Sequence, residues 1–94
     1  MILNLARIRE KMSHLSGWSL DGDCLTKELT FSGFMKALEY ANKAAEVADR
    51  FKHYPDVIIL YSTVRLTLIT RNEHGLTDID FEVAEEIDKI KGIE

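Results

Sequence analysis

The chain is poor in the residues that brace a fold by covalent or backbone constraint, with one cysteine, one proline and five glycines in 94 residues. The lone Cys24 excludes an intrachain disulfide, so a packed core must supply the stability, and a reducing cytoplasmic compartment is expected. No apolar run approaches the roughly 20 residues that a membrane-spanning helix needs. Residues 1–7 show no charged leader followed by an apolar block, so no signal peptide is expected. Cations are also in deficit, 12 Lys and Arg against 16 Asp and Glu, and a net charge of -4 argues against broad nucleic-acid binding. What is present is the mixture of a globular domain, 46% hydrophobic and 30% charged. That length holds one core, so residues 1–94 read as a single domain, one small enough to gain from self-association.

Periodicity divides the chain into seven elements. Leu5, Ile8, Met12 and Leu15 recur at helical spacing and predict a helix over residues 3–15, stopped by Ser16-Gly17. His14, in its last turn, reads as an exposed or capping residue. Trp18 to Leu20 is a short strand, Asp21-Gly22 a hairpin turn, and residues 24–31 the return strand. Leu25, Leu29 and Phe31 share one face of that strand, and Thr26, Glu28 and Thr30 the other. Lys27 interrupts the apolar face and suggests an edge position. Trp18 is read as a structural ring, with stacking on a flat ligand as the alternative. Ser32 is the expected N-cap of a helix over residues 33–52, whose stripe runs Phe34, Ala37, Leu38, Ala41, Ala44, Ala45, Ala48 and Phe51, with Tyr40 off it. Residues 57–61, apolar on both faces, predict a buried central strand. Ser62-Thr63 then turns the chain into an alternating strand over residues 64–71. Thr77 caps a last helix with Ile79, Val83, Ile87 and Ile90 inward, and with Glu82, Glu85, Glu86 and Asp88 as a solvated acidic face. The order predicts an α+β fold, α-β-β-α-β-β-α. It gives one four-stranded antiparallel sheet with three helices on one face and Thr26, Glu28, Arg65, Thr67 and Arg71 toward the other.

Chemistry concentrates where the long helix meets Pro55. Pro55 is expected to end that helix, since it removes a backbone donor and pushes its predecessor out of the helical region. Asp49, His53, Tyr54 and Asp56 crowd this corner, and Asp49 and His53 are four apart, on one side if the last helical turn holds.

These residues carry a resemblance that covers nearly the whole chain. It includes Trp18, Phe31-Ser32-Gly33-Phe34, Ala37 with Ala41, Ala45-Glu46, His53-Tyr54-Pro55, Tyr61, Val64, Thr70-Arg71, Gly75-Leu76-Thr77, Asp80 and Ile87-Asp88. The chain resembles the pterin-4a-carbinolamine dehydratases, also known as dimerisation cofactors of a homeodomain transcription factor. Asp49, His53, Pro55, Tyr61 and Asp80 fall in register with that family's motif. Two positions depart from it: Tyr54 stands where the family has a second histidine or an asparagine, and Arg71 where it has a third histidine or a tryptophan.

The resemblance implies dehydration of a 4a-hydroxytetrahydropterin to a quinonoid dihydropterin, with no metal or cofactor. The leaving hydroxyl must gain a proton and a ring nitrogen must lose one, which suits a group titrating near neutrality. His53 is the only in-register imidazole and the expected acid-base residue, with Asp49 or Asp80 as the carboxylate that orients it. Tyr54, Pro55, Arg71 and His74 are the expected substrate contacts. A phenol, with a reference pKa of about 10, is a poor base at neutral pH. Arg71 cannot exchange protons usefully but can bind an anion or stack on a flat ring. His74, three residues past Arg71, is the candidate to replace the missing histidine. The alternative is a degenerate member that acts as an oligomeric scaffold, dimerisation cofactor or assembly factor for another protein. Either way the resemblance implies a homodimer or homotetramer, with no direct nucleic-acid contact and no membrane.

Overall fold

The computed structural model describes all residues, Met1–Glu94. Helix α1 is Leu5–Met12, strands β1 and β2 are Trp18–Asp21 and Cys24–Thr30, and helix α2 is Phe34–Phe51. Strands β3 and β4 are Asp56–Leu60 and Thr63–Leu68, followed by a 3-10 turn, Arg71–Glu73, and helix α3, Asp78–Ile87. The α+β fold is as expected: the four strands pair antiparallel in the order β1-β2-β4-β3.

Alternation decides which face of the sheet is covered. Leu25 of β2 and Val64, Leu66 and Leu68 of β4 point inward and are fully buried against the helices. Small side chains let α2 close on them, with Ala37, Ala44 and Ala48 also fully buried. The other face carries Thr26, Glu28, Arg65 and Thr67, and Arg65 pairs with Glu28 across the ladder at 2.9 Å. Arg71 is not on this face, because β4 ends at Leu68 and Arg71 opens the 3-10 turn.

Several expectations are corrected. β3 is an edge strand rather than a central one, and Val57, Ile58 and Leu60 are exposed. The ladder from Leu25↔Leu68 to Thr30↔Thr63 joins the two hairpins through β2 and β4, which leaves β3 outside. Lys27 accordingly lies on an interior strand, where it reaches Asp88 at 2.7 Å and hangs 5.8 Å over the Trp18 ring. Asp88 is therefore not part of a solvated face. It also accepts hydrogen bonds from Trp18 Nε1 at 2.8 Å and the Ser16 N–H at 3.0 Å. Trp18 is buried in the core as a structural ring. Gly33, not Ser32, is the N-cap of α2, and the Ser32 hydroxyl bonds the Glu94 carbonyl instead. Helix α1 is shorter than its pattern, starting after Asn4, whose side chain accepts from the Arg7 N–H at 2.9 Å. Both hairpin turns shift by one residue, to Gly22-Asp23 and Tyr61-Ser62. Gly22, at φ 60°, adopts the left-handed backbone that the first turn needs.

The stripe of α2 includes Tyr40 and Val47, while Ala45 is exposed. The Tyr40 ring lies 5.0 Å from Phe31, centroid to centroid. Burial, with the Asp88 charge adding to it, pushes the Tyr40 phenol up to about 12. The folded chain thus keeps the neutral phenol to a higher pH than the unfolded chain, whose tyrosine ionises near 10. This contribution is intact below pH 10 and lost as pH rises toward 12, by ~3 kcal/mol at most. Denaturant midpoints measured across that window should fall for the wild type and stay flatter for Tyr40→Phe. Parallel curves would refute the assignment.

Candidate functional site

The site begins with the way α2 stops. Lys52 takes a left-handed conformation, φ 54° and ψ 36°. Its N–H bonds the Asp49 carbonyl at 3.2 Å, and the His53 N–H reaches back to the Ala48 carbonyl at 3.3 Å. This is a Schellman closure. Lys52, not Pro55, therefore ends the helix, and Pro55 leads the chain into β3. His53 is already off the helix, so Asp49 and His53 do not meet as helical neighbours.

Asp80 meets His53 instead. His53 Nε2 lies 2.6 Å from Asp80 Oδ1, with Asp80 fully buried and His53 partly so. Asp80 Oδ2 accepts from the Thr70 hydroxyl at 2.7 Å and from the Thr77 N–H at 2.9 Å. The Thr77 bond is the capping contact of α3, which holds the carboxylate over a helix N-terminus where negative charge is favoured. Thr70 in turn touches the Thr77 hydroxyl at 2.8 Å. Two donors on Oδ2 fit an ionised carboxylate, so Nε2 is assigned as the donating nitrogen, and in the neutral form of the ring Nδ1 is the acceptor.

His53 lines an open groove of about 340 Å3 with Lys52, Tyr54, Ile69, Arg71 and Asn72. That volume lies within the range of small-molecule sites. Tyr54 Oη donates to Asp49 Oδ1 at 2.7 Å, and Lys52 Nζ lies 3.2 Å from the same oxygen. The Tyr54 hydrogen bond, seconded by Lys52, holds the Asp49 carboxyl below its ordinary range. The same bond pushes the Tyr54 phenol up, keeping it neutral. Arg71 sets Nη2 against both Asp56 oxygens at 2.7 Å.

The fold thus brings His53, Tyr54 and Arg71 to one groove and sets Asp80 behind the imidazole. Asp49 attends Tyr54 rather than His53, and Pro55 shapes the corner without lining the groove. His74 does not join them. It closes the 3-10 turn in a left-handed conformation and lines a separate groove with Ile2, Leu3, Leu20 and Gly75. Sequence reasoning assigned no chemistry to Thr70 or Asn72. Nothing local in the sequence ties a threonine hydroxyl to a carboxylate ten residues on.

Comparison with known proteins agrees with this architecture. Residues 1–90 match the family model described as pterin 4 alpha carbinolamine dehydratase. A relative from Sulfurisphaera tokodaii, named provisionally as a pterin-4-alpha-carbinolamine dehydratase, is 40% identical over 83 residues, spanning 88% of this chain and 89% of that protein. One from Nostoc punctiforme with the same provisional name is 40% identical over 90 residues, 96% of this chain and 97% of its own. Among solved structures, a transcriptional coactivator/pterin dehydratase from Brucella melitensis superposes with a TM-score of 0.89 at 30% identity, covering 98% of this chain and 100% of that one. A pterin dehydratase-like protein, identified as a RuBisCO assembly factor in the alpha-carboxysome, shares the fold at a TM-score of 0.65 and 17% identity, covering 80% and 89%. No helix here is long and apolar enough to cross a membrane. Motif register, sheet order and near full-length matches converge, and the chain belongs to the pterin 4 alpha carbinolamine dehydratase family.

Proposed function

We propose that this chain is a hydro-lyase that dehydrates a 4a-hydroxytetrahydropterin to the quinonoid dihydropterin. The observation that carries the reading is the 2.6 Å contact between His53 and a buried, fully bonded Asp80 at the edge of an open groove. The net reaction moves one proton from a ring nitrogen to the departing hydroxyl, breaks the carbon–oxygen bond and leaves a carbon–nitrogen double bond. Atoms balance without a cofactor. The bare Nδ1 of His53 takes the ring proton, Asp80 steadies the imidazolium that forms, and the same proton reaches the hydroxyl as it leaves. Lys52, Tyr54, Arg71 and Asn72 surround the space where a flat ring would lie. Purified protein should speed the decay of a synthetic 4a-carbinolamine above the buffer rate, and a rate equal to buffer would sink this reading.

A second reading is an oligomeric scaffold or assembly factor for another protein. It is favoured by one observation: Tyr54 and Arg71 direct their bonds to Asp49 and Asp56. On that reading Tyr54→His with Arg71→His creates activity where the wild type has none.

Under either reading the chain works as at least a homodimer, with a homotetramer as the larger assembly. The support is β3, an unpaired edge with Val57, Ile58 and Leu60 exposed beside Tyr61. Sedimentation at micromolar concentration should give a multiple of 10.8 kDa. Ile58→Lys should shift the mass toward one chain, because a charge on an edge strand opposes pairing. A wild-type mass of one chain would refute the assembly.

A further inference from the structure

Tyr54 is the residue of the groove whose chemistry the acid-base scheme leaves unused. A phenol has one proton, and that of Tyr54 is committed to Asp49 at 2.7 Å. The commitment follows from the helix end. Left-handed Lys52 turns the chain back, so that a side chain five residues after Asp49 returns to its carboxylate. Lys52 also reaches the same carboxylate oxygen, which keeps Asp49 anionic and Tyr54 the donor of the pair. The Tyr54 oxygen can then only accept from anything that enters the groove. His53 presents a second acceptor, Nδ1, because its other nitrogen is held by Asp80. The groove therefore has two acceptors from adjacent residues, while Arg71 and Asn72 bring donors to it.

We infer that Tyr54 is a specificity-determining residue that accepts a hydrogen bond from an N–H of the bound heterocycle, with Asp49 as the positioning residue that turns the phenol proton away. The inference rests on the proposed binding of a pterin at this groove. It selects flat heterocycles that display an N–H next to the reacting edge, and it discriminates against those that carry a methyl or a bare nitrogen there. A hydroxyl free to rotate would donate as readily as accept and would not discriminate.

The test is direct binding, by anaerobic calorimetry, of tetrahydropterin, whose reduced ring keeps its N–H groups as the carbinolamine does, and of analogues methylated singly at each of those nitrogens, independent of turnover. Tyr54→Phe should weaken binding of the parent ring by about 5- to 10-fold, the effect of one lost hydrogen bond. One methylated analogue should bind wild type and Tyr54→Phe alike. Tyr54→His, which again offers a bare acceptor, should restore most of the affinity. Asp49→Ala should weaken parent binding too, and should lower the pH at which Tyr54 absorbs as tyrosinate. Where turnover is measured, the loss in Tyr54→Phe should appear in KM more than in kcat. Unchanged parent affinity in Tyr54→Phe, an equal loss for every analogue, or no binding by the wild type would each overturn the inference. A wild type that binds with this selectivity but does not dehydrate would sink the dehydratase reading and leave the inference standing.

Discussion

His53→Ala should lose most of the rate gain over buffer, between about 100-fold and about 10,000-fold in kcat, the usual range for a removed acid-base group. The sequence offers no second imidazole to this groove. His74 lies at another one, and His14 belongs to the far end of α1, in a surface hollow with Arg7, Glu10 and Lys11. Tyr54 is committed as a donor to Asp49, and Arg71 holds its proton, so neither replaces the lost base. Stability should fall as well, by about 1–3 kcal/mol, because the lost imidazole leaves Oδ1 of the fully buried Asp80 without its partner. Asp80→Asn should act through His53. An amide beside Nε2 no longer requires the ring to donate there, and the preference for a bare Nδ1 is lost. A fall of about 10- to 100-fold fits the loss of such an orienting partner. Single-turnover decay of the carbinolamine, run beside thermal melts, separates the two effects. Full activity in folded His53→Ala would remove the imidazole from the mechanism.

Asp88→Ala should be strongly destabilising. One carboxylate answers Lys27 Nζ at 2.7 Å, Trp18 Nε1 at 2.8 Å and the Ser16 N–H at 3.0 Å. Removing it strands a partly buried ammonium and an indole donor together. Breaking one side of such a pair costs about 3 kcal/mol or more, which for a domain of this size corresponds to roughly 12–20 °C in Tm. The mechanism is an unpaired charge rather than a lost attraction, so removing both charges should recover much of the loss. Lys27→Met with Asp88→Leu should melt well above Asp88→Ala alone. If the double variant melts no higher than the single one, the stranded lysine is not the cause.

The local grammar of the fold was legible in the chain. Alternation in residues 24–31 and 64–71 marked the two strands that build the sheet's interior, although β4 stops at Leu68. Three- and four-residue spacing marked the helices, and Thr77 with Asp80 marked the cap of α3. The motif register from Asp49 to Asp80 marked the candidate groups, but not which of them meet. The fine placement was not legible. No local signal distinguishes a proline-stopped helix from one stopped three residues earlier by a left-handed lysine. Yet that difference sends Asp49 to Tyr54 and frees His53 for a carboxylate 27 residues away.

Periodicity by itself determined the elements and their antiparallel pairing, because face alternation and tight turns act over a few residues. Only the tertiary structure decided the partners. It set Asp80 behind His53, drew Lys27 and Asp88 together across 61 positions, and put the most apolar strand at an edge. The physical reason is that a side chain's charge, tautomer and exposure depend on what folds against it, and those neighbours come from distant parts of the chain.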